Sequence, residues 1–260
     1  MYGTQYQKGA IDAGGCVSQA WELVKRNFGL YIGAGLVTIL LISCIPFVNF
    51  FLIGPMMGGF AYIVLRDLRN EPIDFGMLFK GFEKFVPLMV LGLIQAIPGI
   101  LFQIFQYAVD LSSLFIKTRP GSPDFYQSPD PQLSALQTGA FAWLIMVFIG
   151  YFIFQMIWNA ALTFAIPLIV ERNTSIGESI TLSLGAVFSN LGGLILLVIL
   201  NALVGLLGVL ACFFGIFVAI PVTFASYVIA YRHVFPYFEG TRVNTEPPPP
   251  NAYGNFGGTQ

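Results

Sequence analysis

The chain has 260 residues, 56% of them hydrophobic and only 10% charged, with a mean hydropathy of +0.77 and a formal net charge of −1. Soluble globular chains are about 25% charged, so the composition excludes an ordinary soluble domain and points to a bilayer. The balance of 12 basic against 13 acidic residues gives no reason to expect a nucleic-acid partner.

Residues 1–10 are polar, with one cation, Lys8, and read as a flexible N-terminus. They lack the basic and apolar regions of a cleavable signal, so the first span is expected to insert by itself and remain. Next, Trp21, Leu23, Val24 and Phe28 are interleaved with Glu22, Lys25 and Arg26. That pattern predicts an amphipathic helix lying along the headgroup plane. A span needs about 20 apolar residues. The sequence predicts spans at 29–50 and 51–68, parted by a turn within 46–55 where Pro46 and Pro55 stand.

A second amphipathic segment follows at 73–86, with Phe75, Phe79, Phe82 and Phe85 set among Lys80, Glu83 and Lys84. The third and fourth spans, 87–116 and 139–170, are each about 30 residues long, or roughly 45 Å as helix. A hydrocarbon core is about 30 Å thick, so tilt or a kink at Pro98-Gly99 is expected to absorb part of the excess. Between them, 117–138 carries Pro120, Pro123, Pro129 and Pro131 and reads as an irregular loop. A third amphipathic segment precedes the last spans, 191–211 and 213–234, which are parted by a turn within 205–215. The tail, 239–260, holds prolines 247–250 and reads as disordered.

This predicts an all-α polytopic membrane protein with six transmembrane helices, its membrane domain covering 11–238. Alternate assignment of the loops puts ten of the 12 basic residues on the side of both termini, leaving Lys117 and Arg119 on the other. The positive-inside rule then places both termini in the cytoplasm.

An internal repeat is expected as well. Arg69-Asn70-Glu71-Pro72-Ile73 matches Arg172-Asn173-Thr174-Ser175-Ile176, and Phe85 and Phe188 lie equally far beyond each isoleucine. Pro55 precedes Arg66 by the same interval that separates Pro221 from Arg232. The reading is three parallel units, about 11–70, 71–172 and 173–238, each an interfacial amphipathic helix followed by a two-helix hairpin.

Chemistry-bearing residues are few. No charge is predicted at mid-bilayer; Asp110 should reach the far headgroups. Proton- and ion-coupled carriers usually keep an intramembrane acid or base, which argues against that class. Gln95, Gln103, Gln106 and Asp110 fall within about 80° of arc on the third span at roughly 100° per residue, as do Gln155, Asn159 and Thr163 on the fourth. These seven form a candidate polar seam. It either lines a path for a small solute or lipid headgroup, or locks the helices through interhelical hydrogen bonds; the modest value of such bonds, about 0.6 kcal/mol, and the absence of charge favour locking. Small residues at four-residue spacing, Gly29/Gly33, Gly54/Gly58, Ala161/Ala165 and Ala211/Gly215, predict close helix approach.

Cys16, Cys44 and Cys212 form no C-x-x-C pair, and the single His233 leaves no zinc set. His233 has no nucleophile in an adjacent motif, and no Walker loop, H-E-x-x-H or dinucleotide fingerprint is present. No enzyme, catalytic residue, cofactor or metal is therefore expected.

The order amphipathic helix, hairpin, Pro-x-x-Gly from Pro55 or Pro-x-x-Phe from Pro221, then Tyr231-Arg232, resembles a group of uncharacterised bacterial six-span integral membrane proteins. These are related to the membrane domain of glycerophosphodiester phosphodiesterases. The resemblance covers about 10–236 and implies the bacterial cytoplasmic (inner) membrane. It carries over no catalytic residues, and no phosphodiesterase domain follows. The function expected is a non-enzymatic integral membrane protein that organises or associates with other membrane proteins or lipids. Partners would be membrane lipids, another membrane protein or a second copy. The alternative is passive or facilitated transport of a small solute or lipid along the seam between the third and fourth spans.

Overall fold

The computed structural model describes residues 6–44, 49–117, 131–211 and 214–236, with side chains other than those of 42–44, 49, 109–110, 112–117, 131–142, 144 and 214. Among the described residues all regular structure is helical: α1 (Ala13–Arg26), α2 (Phe28–Cys44), α3 (Asn49–Leu68), a 3₁₀ helix (Phe75–Lys84), α4 (Phe85–Lys117), α5 (Pro131–Leu162), α6 (Ala165–Arg172), α7 (Ile176–Ser189), α8 (Leu191–Leu210) and α9 (Phe214–Val234). Five helices are long and apolar enough to cross a membrane, or six if α1 and α2, bent by 100° at Asn27, count as one span.

Three amphipathic segments precede the long helices, each started by a side-chain cap. Asp12 accepts from the Gly15 N–H, Asp74 from Gly76 and Ser175 from Glu178. The middle one is a 3₁₀ helix rather than the 14-residue segment expected at 73–86. The chain leaves α1 at Asn27 and α7 at Asn190, whose own N–H groups close the preceding turns. The matched Arg-Asn pairs also share a conformation. Asn70 and Asn173 are both left-handed, at φ 56° and 53°, the geometry that ends a helix and for which asparagine is tolerated.

Apart from the Asp110–Lys117 end of α4, the described span ends that carry charged residues meet at one end of the molecule. Gln7 N–H donates to Val234 O at 2.9 Å, Lys84 Nζ to Ile169 O and Val170 O at 2.8 and 2.7 Å, and Arg69 pairs with Glu171 at 2.5 Å. Each hairpin therefore leaves this end and returns to it. The fully buried large side chains, among them Tyr31, Ile63, Leu78, Leu88, Phe164, Leu168, Tyr231 and Phe235, lie within a few turns of the same end. Toward the far end α4 and α5 expose Leu101, Ile104, Phe105, Phe148, Ile149 and Phe152, as lipid-facing helices do.

Small residues let α3 run against its neighbours backbone to backbone. A Cβ on Gly59 would meet Leu78 O at 1.7 Å, on Gly81 Pro55 O at 1.9 Å, and on Gly54 Leu88 O at 1.8 Å. The Gly54/Gly58 pair thus does what its spacing predicts. Gly29 does not, for nothing lies within 4 Å of its Cβ position.

α4 runs through Pro98 as one element, in keeping with the single span read at 87–116. Three boundaries differ from the sequence reading. Phe50 lies in the first turn of α3 instead of closing the first span. Helix α5 starts at Pro131, so 131–138 is helical and not loop; proline suits a first helical position because its missing N–H would have no partner there. The fourth span is two helices, α5 and α6, broken at Thr163-Phe164. Pro167 offers no N–H to the carbonyl four residues back, at Thr163, and its ring crowds that carbonyl. Ser183 of α7 holds the break: its hydroxyl donates to Ala161 O at 2.7 Å and accepts from the Phe164 N–H at 3.3 Å. Residues 237–260, 118–130 and Cys212, and the side chains of Cys44 and Asp110, lie outside the described residues.

Candidate functional site: an uncharged cavity at a broken helix

Helices α3, α4, α5, α6, α8 and α9 line a half-open cavity of about 460 Å³, within the usual range for small-ligand sites. Four of the seven seam residues line it: Gln95 from α4, Gln155 and Asn159 from α5, and Thr163 at the break. Gln95 is ten residues into α4 and Thr163 nine before Arg172, each roughly 15 Å from the charged end. In a hydrocarbon core of about 30 Å that is mid-depth. Non-helical backbone at that depth is tolerated where it is buried in protein or lines a cavity; here Thr163 and Pro167 both line it.

The hydrogen bonds of the seam run along helices. Asn159 Nδ2 donates to Gln155 O and Thr163 Oγ1 to Asn159 O, both at 2.9 Å. Tyr151 donates to Gln155 Oε1 at 3.5 Å, near the limit for such a bond. Between α4 and α5 the described polar contact is Trp158 Nε1 to Ile94 O, 3.1 Å, with Phe102 stacked on Tyr151 at 4.0 Å. Gln103 and Gln106 line a second cavity of about 560 Å³ further along α4, and Ala96 and Gln155 border both. The structure thus divides the seam into a mid-depth set and an outer set.

The interhelical lock that sequence reasoning looked for stands elsewhere. Asn201 of α8 donates through Nδ2 to Ser226 Oγ of α9 at 2.8 Å, with Ser226 Oγ 3.0 Å from Asn201 Oδ1; both side chains are buried. Tyr227, next to Ser226, lines the cavity and was also missed, because one tyrosine in an apolar helix carries no periodic signal.

Two acids, buried Asp67 and part-buried Glu171, organise the charged end. Asp67, 3% exposed, accepts from Arg26 at 2.5 Å, from Asn27 at 3.2 Å and from Tyr31 at 2.9 Å, tying the α1–α2 bend to the end of α3. Glu171 of α6 accepts from Arg69, Arg232 and Tyr231, tying α3, α6 and α9. The fold also brings Cys16 Sγ to 3.6 Å from His233 Nδ1, across 217 residues of sequence. Burial, with Asp12 adding to it, pushes the Cys16 thiol up to about 12. It stays a protonated thiol at neutral pH, and only the thiolate is a nucleophile.

No family model, curated protein or solved structure matches this chain.

Proposed function

We propose that this chain is a non-enzymatic integral membrane protein that associates with membrane lipids and organises other membrane components around it. The observation that carries the reading is the mid-depth cavity. It is walled by apolar side chains, edged by uncharged hydrogen-bonding groups and set at a helix break. Amides left at mid-bilayer without a fixed partner are costly, and a ligand would satisfy them. Purification in mild detergent followed by mass spectrometry should find lipid retained in near-stoichiometric amount. A lipid-free, fully folded preparation would count against it.

The cell setting proposed is the bacterial inner membrane, with both termini cytoplasmic, as the distribution of basic residues suggests. Reporter fusions at Gly240 and near Gln127 should report opposite sides. We also propose three parallel repeats. The shared left-handed asparagines, the side-chain-capped amphipathic segments and the Asn27 and Asn190 breaks support that arrangement. So does the common sense of the hairpins. The proposed kinship with the six-span proteins related to phosphodiesterase membrane domains rests on the same features.

A second reading, facilitated passage of a small solute, is favoured by the outer cavity that continues along α4. Flux into proteoliposomes would then fall when Gln103 and Gln106 become leucine.

A further inference from the structure

We propose that the cavity binds an uncharged lipid, of the diacylglycerol or long-chain alcohol type, which enters sideways from the hydrocarbon between α5 and α8. The proposal rests on the lipid-association reading and names the class of lipid and its route.

The route follows from the packing of α5. Its principal neighbours are α4 and α7, whereas α8 packs on α9 and α1. Met156 of α5, 39% exposed, and Val198 of α8 both line the cavity. At about 1.5 Å per residue they stand roughly 24 and 11 Å from the charged end, both within a hydrocarbon core of about 30 Å. The molecules that reach the cavity from that side are those whose polar group can enter hydrocarbon.

The class follows from the lining. The polar groups are Gln95, Gln155, Asn159, Thr163 and Tyr227, none of them charged at neutral pH, and among the described residues no Lys, Arg, Asp or Glu contributes. A phosphate or ammonium brought there would be a buried charge without a counter-charge, which is expensive. A hydroxyl or ester carbonyl would find both donors and acceptors. Asn159 Oδ1 remains an acceptor, because its Nδ2 is the atom bonded to Gln155 O, and Gln95 offers one of each. At about 30 Å³ per water-sized group, a volume of about 460 Å³ holds roughly 15. That suits a small polar head and the start of a chain, with the remainder lying outside past Met156.

Trp158 provides the test. It donates to Ile94 O, next to Gln95, and precedes Asn159. With Trp21 and Trp143 changed to phenylalanine it is the sole tryptophan of the full chain. Reconstituted into phosphatidylcholine vesicles, this protein should show saturable quenching of Trp158 by brominated diacylglycerol at low mole fraction. Brominated phosphatidylglycerol should give only the unsaturable quenching of bulk lipid. Changing both Gln95 and Asn159 to leucine should weaken the saturable component roughly tenfold or more, equivalent to about 1.4 kcal/mol. Met156→Phe, which narrows the opening and leaves the amides intact, should do so too, and it decides alone if the double variant does not fold. Saturable quenching by the charged lipid to the same degree would overturn the neutral class and leave lipid association standing. Saturable quenching unchanged by both variants would move the site out of this cavity. No saturable quenching by either lipid would remove both readings.

Discussion

Hairpins α8–α9 and α4–α5 lie in the same apolar setting and spend their polar side chains differently. In α8–α9 the backbones meet at Gly208 and Gly215, where a Cβ added to Gly215 would come within 2.7 Å of Gly208 O. The one buried amide of that pair among the described residues, Asn201, bonds Ser226 and Tyr227 of the partner helix. In α4–α5 the glycines Gly99 and Gly150 touch nothing within 4 Å. Contact is made by Phe102 on Tyr151 and by the Trp158 indole, and the amides border cavities. One hairpin is built to be closed; the other keeps hydrogen-bonding capacity in reserve at mid-depth. Stability alone explains the first arrangement and not the second.

The sharpest way to break this contrast is by glycine. Gly215→Ala should cost about 2–3 kcal/mol, the upper part of the usual range for overpacking, because the obstructing atoms are the backbone of Gly208. Gly150→Ala should be neutral or stabilise by up to about 1 kcal/mol through helix propensity. Thermal unfolding in detergent reads both. Equal effects would mean that the two hairpins are packed alike.

Next in size is Ser183→Ala. It strips the break of a donor to Ala161 O and an acceptor for the Phe164 N–H. Leaving such buried groups unsatisfied costs about 1–3 kcal/mol. Loss of lipid retention should accompany the lower melting temperature, since the break forms part of the cavity wall. A smaller effect is expected for Asn201→Leu, about 0.6–1.7 kcal/mol as for membrane hydrogen bonds generally, with lipid retention unchanged.

What the sequence disclosed follows the same division. Composition and hydropathy located the long helices because apolar length is a local property. The Arg-Asn matches were legible because a left-handed helix end needs particular residues at particular places. The seam was legible as an arc on two helices. Its neighbours were not, because they depend on how helices meet. Tyr227 and Val198 reach the cavity from the last hairpin, and Cys16 meets His233 across the whole fold. The break at Thr163 was missed although Pro167 marks it. A proline in a long apolar run is compatible with a continuous helix, as Pro98 shows in α4, and the distinction lies with Ser183, a residue of another helix.

The smallest expected change in stability carries the most information about the open hairpin. Changing Gln95 and Asn159 together to leucine removes the Asn159 Nδ2 bond to Gln155 O and no described bond across the helices. Fully formed, such a bond is worth about 0.6 kcal/mol on average. Removing the Gln95 amide, which has no described hydrogen bond, from a largely apolar cavity lining returns part of its desolvation cost. The two effects oppose, so the melting temperature should stay within a few degrees of the parent or rise. If the amides instead locked α4 to α5, the double change would lower it at least as much as Asn201→Leu does. The comparison is internal to one protein: the same residue type, the same solvent and the same kind of substitution, in a hairpin that spends its amide and one that does not. A stability loss at Gln95 and Asn159 matching that at Asn201 would make the two hairpins equivalent. An unchanged melting temperature with lipid retention reduced would assign the amides of α4–α5 to a ligand.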